Sequence, residues 1–473
     1  MSYACTSRPP LYARPRSWAY LLVLLLGAAL QGCMDAQDPV EEPSTNVPVL
    51  EFSVATGGEI GDVLPGTDPA EFEEAAEAFG EAETIEDGLG PLFNEAGCGS
   101  CHTTPVMGGS GEQIERRFGR FDRGEFFGYD AGRDNQGGTL RQLFSNGTYT
   151  FNNKVCTVPV EREPRDAEVR NVGRRTQPLF GLGLVDAMPD AFFEQLAAQQ
   201  PFSIRGVVSR VTVLIPDPRD PTQYPGSRRV GRFGWKAGVP SLLVFSGDAY
   251  NNEMGITTQS CYRGRSLTAF AFENLPNGNA ITSGCNGGDL AVAQPAHPDV
   301  PRFADDVVGP CHNGLTEIQD DLLLFTTFME SLAPPPRDFS GGRDDIERGE
   351  NAFDRAGCDG CHLTKTFITP SRPHNGVPSR FAFRPFSDFL LHDMGHLGDH
   401  IGNTGDSVTR TRLMRTQPLW GARFNTSFLH DGRAPDIRSA ILAHDGQGEA
   451  ARNAFTRLSS SEQRNLIKYV LSL

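Results

Sequence analysis

Lysine is scarce in this chain of 473 residues: Lys154, Lys236, Lys365 and Lys468 are the only four, and between Met34 and Gly90 there is neither Lys nor Arg. The formal net charge is −16, and the 16 acidic side chains from Asp35 to Asp87 equal the whole excess of acid over base. A nucleic-acid binder needs a basic face to displace phosphate counterions, so that class is excluded and no nucleic-acid partner is expected. Residues after Gly90 are near charge balance and carry aromatic and periodic apolar segments, which excludes a chain disordered throughout. A membrane-spanning run is missing too. The N-terminal apolar stretch, Trp18 to Leu30, has 13 residues, short of the ~20 that cross a bilayer as a helix.

That stretch follows Arg8, Arg14 and Arg16 and leads into Leu30-Gln31-Gly32-Cys33, the pattern of an export signal closed by a bacterial lipobox. Residues 1–32 are expected to be removed. Cys33 would then be lipidated and hold the protein at the periplasmic face of a bacterial membrane or at the outer surface. The acidic segment 33–80, with its Pro and Gly, buries too little to fold and reads as a disordered tether, in which Glu71 to Ala82 is a candidate short helix.

Ten cysteines in an exported chain ordinarily indicate a disulfide framework. Four of them have a different spacing. Cys98-Gly99-Ser100-Cys101-His102 and Cys358-Asp359-Gly360-Cys361-His362 are both CxxCH, the attachment sequence of haem c, in which two thiols form thioethers to the vinyl groups and the histidine meets the iron. A zinc site built from two CxxC pairs would leave both histidines unexplained. With Cys5 in the signal segment and Cys33 at its end, Cys156, Cys261, Cys285 and Cys311 remain, enough for two disulfides with three possible connectivities. Cys311-His312 has Val308 where a third haem motif would need a cysteine.

The surroundings of the two motifs repeat. Both read F-x-x-A-G-C-x-x-C-H, and Arg175-Thr176-Gln177-Pro178-Leu179-Phe180-Gly181 returns as Arg415-Thr416-Gln417-Pro418-Leu419-Trp420-Gly421. The expected fold class is therefore mainly α: two cytochrome-c-like helical domains, the first carrying a loop-rich insertion with some β. Its expected parts are haem domain one over 81–200, the insertion over 201–310, a closing helix and Pro334-Pro335-Pro336 hinge over 311–336, and haem domain two over 337–473. Gly349 to Phe353 reads as an approach helix, Asp320 to Leu332 as an apolar helix, and Ser459-Ser460-Ser461-Glu462 as the capping box of a final helix.

With these motifs, and with strings such as Phe233-Gly234-Trp235-Lys236-Ala237, Leu390-Leu391-His392-Asp393-Met394-Gly395 and Phe428-Leu429-His430-Asp431-Gly432-Arg433-Ala434, the chain resembles the bacterial di-haem oxidoreductases, grouped with peroxidases and sometimes labelled thiol oxidoreductases. It is more distantly similar to di-haem cytochrome c peroxidases. The resemblance implies two haem c groups, and leaves room for Ca²⁺ between the halves, although no complete oxygen-ligand loop is visible. It also implies a small periplasmic electron donor, a cytochrome or cupredoxin, with hydrogen peroxide or a partner protein as substrate. No CxxC free of haem supports the thiol label.

A peroxidase needs one iron suited to electron transfer and one with a position for peroxide. For the second iron, His362 is proximal and Met394 the chosen sixth ligand, because a soft thioether raises the potential. His392, His396, His430 and Met414 are rivals, with His430 expected beside the haem edge or on a propionate. For the first iron, His102 is proximal and no other histidine follows until His297. Its sixth position is either open or held by Met107, Met188 or Met254. Glu112 and Glu115 are candidate acid–base groups for O–O cleavage, against the plainer reading of solvated carboxylates. Lys236 is either a propionate partner or distal donor, or half of a structural ion pair. Trp420 is favoured over Trp235 as an indole between the haems, with simple pocket packing as its alternative. The remaining class is an electron carrier with both irons fully ligated.

Overall fold

The computed structural model describes residues 58–85, 87–128, 138–151, 154–256, 258–262, 265–267, 270, 306–308 and 321–473, and Val49–Leu473 forms one compact unit. The signal segment, Cys33, Cys285 and Cys311 lie outside the described residues, as does the side chain of Cys261. Cys156 is disulfide-bonded.

The expectation of a mainly α protein is corrected. Among the described residues helices are interleaved with strands, and the strands are distributed over seven small sheets. The largest sheet is built around Ile114–Asp122, which pairs antiparallel with Val169–Arg175, Leu140–Arg141 and Glu125–Phe127. It follows the first CxxCH directly, within the stretch expected to be the first helical unit, so strand structure belongs to the surroundings of that motif. The insertion differs as well. Arg210–Thr212 and Arg228–Val230 pair as short antiparallel strands, but Leu242–Met254 is a 13-residue helix, capped by the Ser241 hydroxyl and closed by Gly255 in the left-handed region. Leu242, Leu243, Val244, Tyr250 and Met254 are all buried, because the helix has core on more than one side, which leaves no amphipathic stripe to read from sequence.

The tether reading is corrected over its last part. Pro69–Gly80 is a helix capped by Asp68. Ala75 and Phe79 on one face are buried, and Phe79 stacks on Phe328 at 4.3 Å. Glu71, Glu73, Glu74 and Glu77 stay exposed on the outside, so the charge run is the solvated face of a docked helix. Upstream, Val63 bridges Leu332, and the Asp62 carbonyl accepts from the Ala333 amide.

Two apolar cores organise the rest. One joins Leu64, Phe79, Leu179, Phe193, Leu242 and Phe328 to Phe367, Phe383, Phe389 and Trp420, so it draws on both repeats. The other is local to the C-terminal part, where Ile346, Phe353, Phe386, Phe455, Leu466 and Tyr469 meet. In the latter, the helix Arg343–Ala356 lies against Ser460–Ser472, closely enough that a Cβ on Gly349 would sit 2.0 Å from the Asn465 carbonyl oxygen. The final helix carries the expected capping box: the Glu462 amide donates to Ser459 Oγ and the Ser459 amide to Glu462 Oε2. Pro334 and Pro335 are buried and pack toward Gly181 and Gly421, one glycine from each repeat. The proline run is thus packed between the repeats instead of exposed as a hinge.

Candidate functional site

The first CxxCH forms a single turn, Cys98–Cys101, after Gly97. Phe79 of the docked N-terminal helix places its ring 5.9 Å from that of His102. The second CxxCH follows the Arg343–Ala356 helix, which Gly357 ends at φ 77° with its amide on the Asp354 and Phe353 carbonyls. All four thiols are free despite their CxxC spacing. His102 Nδ1 lies 3.0 Å from the Gly109 carbonyl oxygen and His362 Nδ1 3.0 Å from that of Phe386. A backbone carbonyl on Nδ1 fixes the tautomer whose Nε2 has a free lone pair, as metal-binding histidines generally require. Burial pushes both imidazoles down to about 4, so each is neutral and able to ligate near neutral pH.

Each motif opens onto a cavity. The one at Cys101 and His102 measures about 440 Å³ and the one at Cys358, Cys361 and His362 about 500 Å³, both within the ~300–1,000 Å³ of cofactor pockets. Unpaired thiols, caged histidines and adjoining space of this size fit a haem at each motif. The cavities share Arg175, Gln177, Phe233, Trp235 and Phe245 as lining. Here the repeats meet: Gln177 Nε2 donates to Gln417 Oε1, 240 positions further on. Trp235, not Trp420, stands in the shared wall. Trp420 lines the second cavity alone and packs against Phe383 and toward Gly181, because its position in the repeat places it in the core that Phe180 also joins.

The two cavities differ in chemistry. Of the described residues around the first, His102 is the one histidine and there is no methionine. Met188 and Met254 are buried in the core, and Met107 Sδ faces Gly80, so none of the three expected methionines lines the cavity. Its walls instead carry Glu115, Arg117, Arg174, Lys236, Asp248 and Glu253. Arg117 grips Glu115 with two hydrogen bonds, at 3.1 and 2.7 Å. Burial opposes ionisation of Glu115, and the Arg117 guanidinium overrides it, so its pKa lies below the usual carboxylate value. Glu253, at the end of the Leu242–Met254 helix, is hydrogen-bonded to Glu115 and to Asn94 Nδ2 at 2.7 Å. Burial and the Glu115 charge push it up to about 8. Burial also pushes Asp248 up to about 6. Glu112 is exposed and lines neither cavity, because the strand that begins at Ile114 turns Glu115 inward and leaves Glu112 outside. Lys236 lines the first cavity, but its ammonium is held by Asp399 Oδ1 at 3.0 Å and the Thr411 carbonyl at 2.8 Å. Asp399, buried, also takes two bonds from Arg174.

Four histidines surround the second cavity: His362, His392, His430 and His444. His392 has Asp388 Oδ2 2.9 Å from Nε2 and Cys361 Sγ 3.9 Å from Nδ1. Cys361, Asp388 and His392 are also the one group of metal-ligand type found among the described residues, a cluster that includes the second thiol of the haem motif. His430 is buried, its ring 6.2 Å from that of Trp235. His396 is exposed, and Met414 faces the Lys236 ammonium at 3.9 Å. Met394 lines the cavity, and so does His444, whose Nδ1 lies 2.8 Å from the Ala440 carbonyl oxygen. Sequence pattern singles out neither His444 nor Glu253. No local motif marks them, and only the fold brings them to a haem-motif histidine 82 and 151 residues away.

The profile of the family described as "Di-haem oxidoreductase, putative peroxidase" matches residues 146–473. The chain belongs to the di-haem oxidoreductase family. The match takes in the second CxxCH and begins beyond the first. No curated protein matches the chain. Among solved structures, Kuenenia stuttgartiensis hydrazine synthase pressurized with 20 bar xenon is similar at 18% identity and a TM-score of 0.24, over 32% of this chain and 55% of that one. This di-haem oxidoreductase thus spans about half of that neighbour's length, and so slight a likeness bears on neither fold nor function.

Proposed function

We propose that this di-haem oxidoreductase is a peroxidase that takes electrons at the second cavity and reduces hydrogen peroxide in the first. Cys98 and Cys101, and Cys358 and Cys361, would hold two haem c groups by thioether bonds, with His102 and His362 as proximal ligands. When bound, the haems supply a path for electrons and an iron at which peroxide is polarised. The observation that carries the reading is the asymmetry of the cavities. The first offers no second histidine or methionine at its described walls and is furnished with carboxyls and cations. The second is ringed by histidines.

The protein's own part at the first cavity is proton handling. Overall, H2O2, two electrons and two protons give two waters; the electrons come singly from a small reduced donor protein and the protons from solvent. As the O–O bond breaks, the departing oxygen needs a proton. Glu253 carries one near neutral pH, and the adjoining Glu115 carboxylate accepts the proton that leaves the inner oxygen. Arg117 and Arg174 keep anionic charge in the cavity compensated. Lipidation at Cys33, after an export signal over 1–32, would place this chemistry at a bacterial membrane surface.

The test is steady peroxide turnover with a reduced small cytochrome. Loss of turnover by ~10²–10⁴ in Glu115→Gln and Glu253→Gln, with both haems retained, is expected for acid–base groups. A wild-type protein that carries two haems yet never consumes peroxide would overturn the reading.

A further inference from the structure

The second iron needs a sixth ligand if it is to pass electrons without binding substrate, and the cavity wall can be sorted by what each candidate atom already touches. His392 is engaged at both nitrogens, by Asp388 and Cys361. His396 is exposed, and its backbone amide is held by Asp445. Met414 pairs with His392 across the short sheet Leu391–Asp393/Leu413–Arg415, with its sulfur toward Lys236. His430 presents its ring to Trp235 in the wall shared by the two cavities. Met394 and His444 remain.

His444 has what a ligand needs. It follows the last turn of the helix Ile437–Ala443, and its Nδ1 is bonded one turn back to the Ala440 carbonyl oxygen. This is the same arrangement, a ring nitrogen on a backbone carbonyl, that His102 and His362 show. The bond fixes the ring and leaves the Nε2 lone pair free, with no hydrogen-bond partner among the described residues, at the wall of the same cavity as His362. Gly448 keeps that place open: a Cβ there would lie 3.1 Å from His444 Cδ2. Met394 Cε would be 3.3 Å from the same Cβ. Both side chains therefore border Gly448, and among the described residues no hydrogen bond comparable to that of His444 fixes the Met394 sulfur.

We propose that His444 is the sixth ligand of the iron held by His362, so that the second haem is bis-histidine. This rests on the di-haem reading above. An imidazole in place of a thioether stabilises the ferric state, so the electron-accepting haem works at a lower potential than a His/Met haem would.

The test starts with a haem count on the purified full chain and the low-temperature electron paramagnetic resonance and near-infrared spectra of its ferric form. Two haems per chain, one low-spin with bis-histidine character and no thioether-to-iron band, are expected. His444→Gly should turn that haem high-spin, and added imidazole should restore the low-spin signal. His444→Met should bring in the thioether band and raise the potential, while Met394→Leu should change neither. A thioether band in the wild type that Met394→Leu abolishes, or a low-spin second haem untouched by His444→Gly, overturns the ligand assignment alone. Fewer than two haems per wild-type chain overturns the di-haem attachment reading with it.

Discussion

The indole N–H of Trp235 donates to the Arg175 carbonyl at 2.9 Å, and the carbonyl of the same tryptophan accepts from the Arg415 amide at 2.9 Å. Arg175 and Arg415 are the corresponding first residues of the two repeated strings. One residue in the shared wall of the two cavities, by its side chain on one repeat and its backbone on the other, therefore ties the repeats together at their equivalent points. Trp235→Phe keeps most of the ring and removes the donor. It should cost about 1–3 kcal/mol through the orphaned Arg175 carbonyl, read as a lowered denaturation midpoint, and should slow electron passage from the second haem to the first in stopped-flow reduction. Trp420→Phe only restores the residue type of its counterpart Phe180 and should leave that rate unchanged. A rate sensitive to Trp420 and indifferent to Trp235 would refute the placement.

The carboxyl pair in the first cavity makes a pH prediction. Glu253 keeps its proton in the folded protein up to about 8, whereas an ordinary carboxyl loses it near ~4.3. Between those values the folded state binds more protons than the unfolded one, so this group's contribution to stability declines as pH rises. Peroxide turnover should fall over the same upper range, with an alkaline limb near pH 8. Glu253→Gln should flatten both dependences, measured as melting temperature and turnover against pH. An alkaline limb that survives the substitution would assign the proton elsewhere.

Local and non-local information divide cleanly in this chain. The CxxCH motifs, the Ser459–Glu462 capping box and the Gln177/Gln417 correspondence were legible because each is a short-range pattern with a physical reason for its spacing. The Leu242–Met254 helix was not, since burial on several sides removes the periodicity that marks a surface helix. The candidate helix at Glu71 to Ala82 is present as Pro69–Gly80, but the acidic run hid its docking, because its charges dominate the composition while the buried residues of its docking face are Ala75 and Phe79. Glu253 and His444 are set by tertiary contacts, the first by Glu115 and Asn94 and the second by the cavity beside His362.

Phe79 tests whether the N-terminal helix belongs to the first haem site. Its ring stacks on Phe328, meets Phe325 edge-on at 6.2 Å and lies against His102. Phe79→Ala should destabilise by about 3–5 kcal/mol, as large-to-small core changes do, and should perturb the spectrum of the first haem more than that of the second. Truncation before residue 58 should do neither. A Phe79→Ala protein with wild-type stability and spectrum would return the segment to the status of a tether.

Asp399 joins the C-terminal half to the first cavity through two cations. It accepts from Arg174 at 2.8 and 2.6 Å and from Lys236 at 3.0 Å, and it is buried. Burial alone would raise its pKa, but Arg174 and Lys236 outweigh that and hold it well below the usual carboxylate range. A depressed folded pKa means that its contribution to stability is fully present above the unfolded value of ~3.9 and is lost as pH falls below it. Asp399→Asn preserves shape while leaving two buried cations without their anion, which should cost about 3–5 kcal/mol at neutral pH. The gap between variant and wild type should then narrow in acid, because below ~3.9 the Asp399 carboxyl of the unfolded wild-type chain takes up a proton that the folded one does not. Equilibrium denaturation at a neutral and an acidic pH reads both. A cost that is equally large at both would show that packing around Asp399, and not its charge, holds the halves at this cavity.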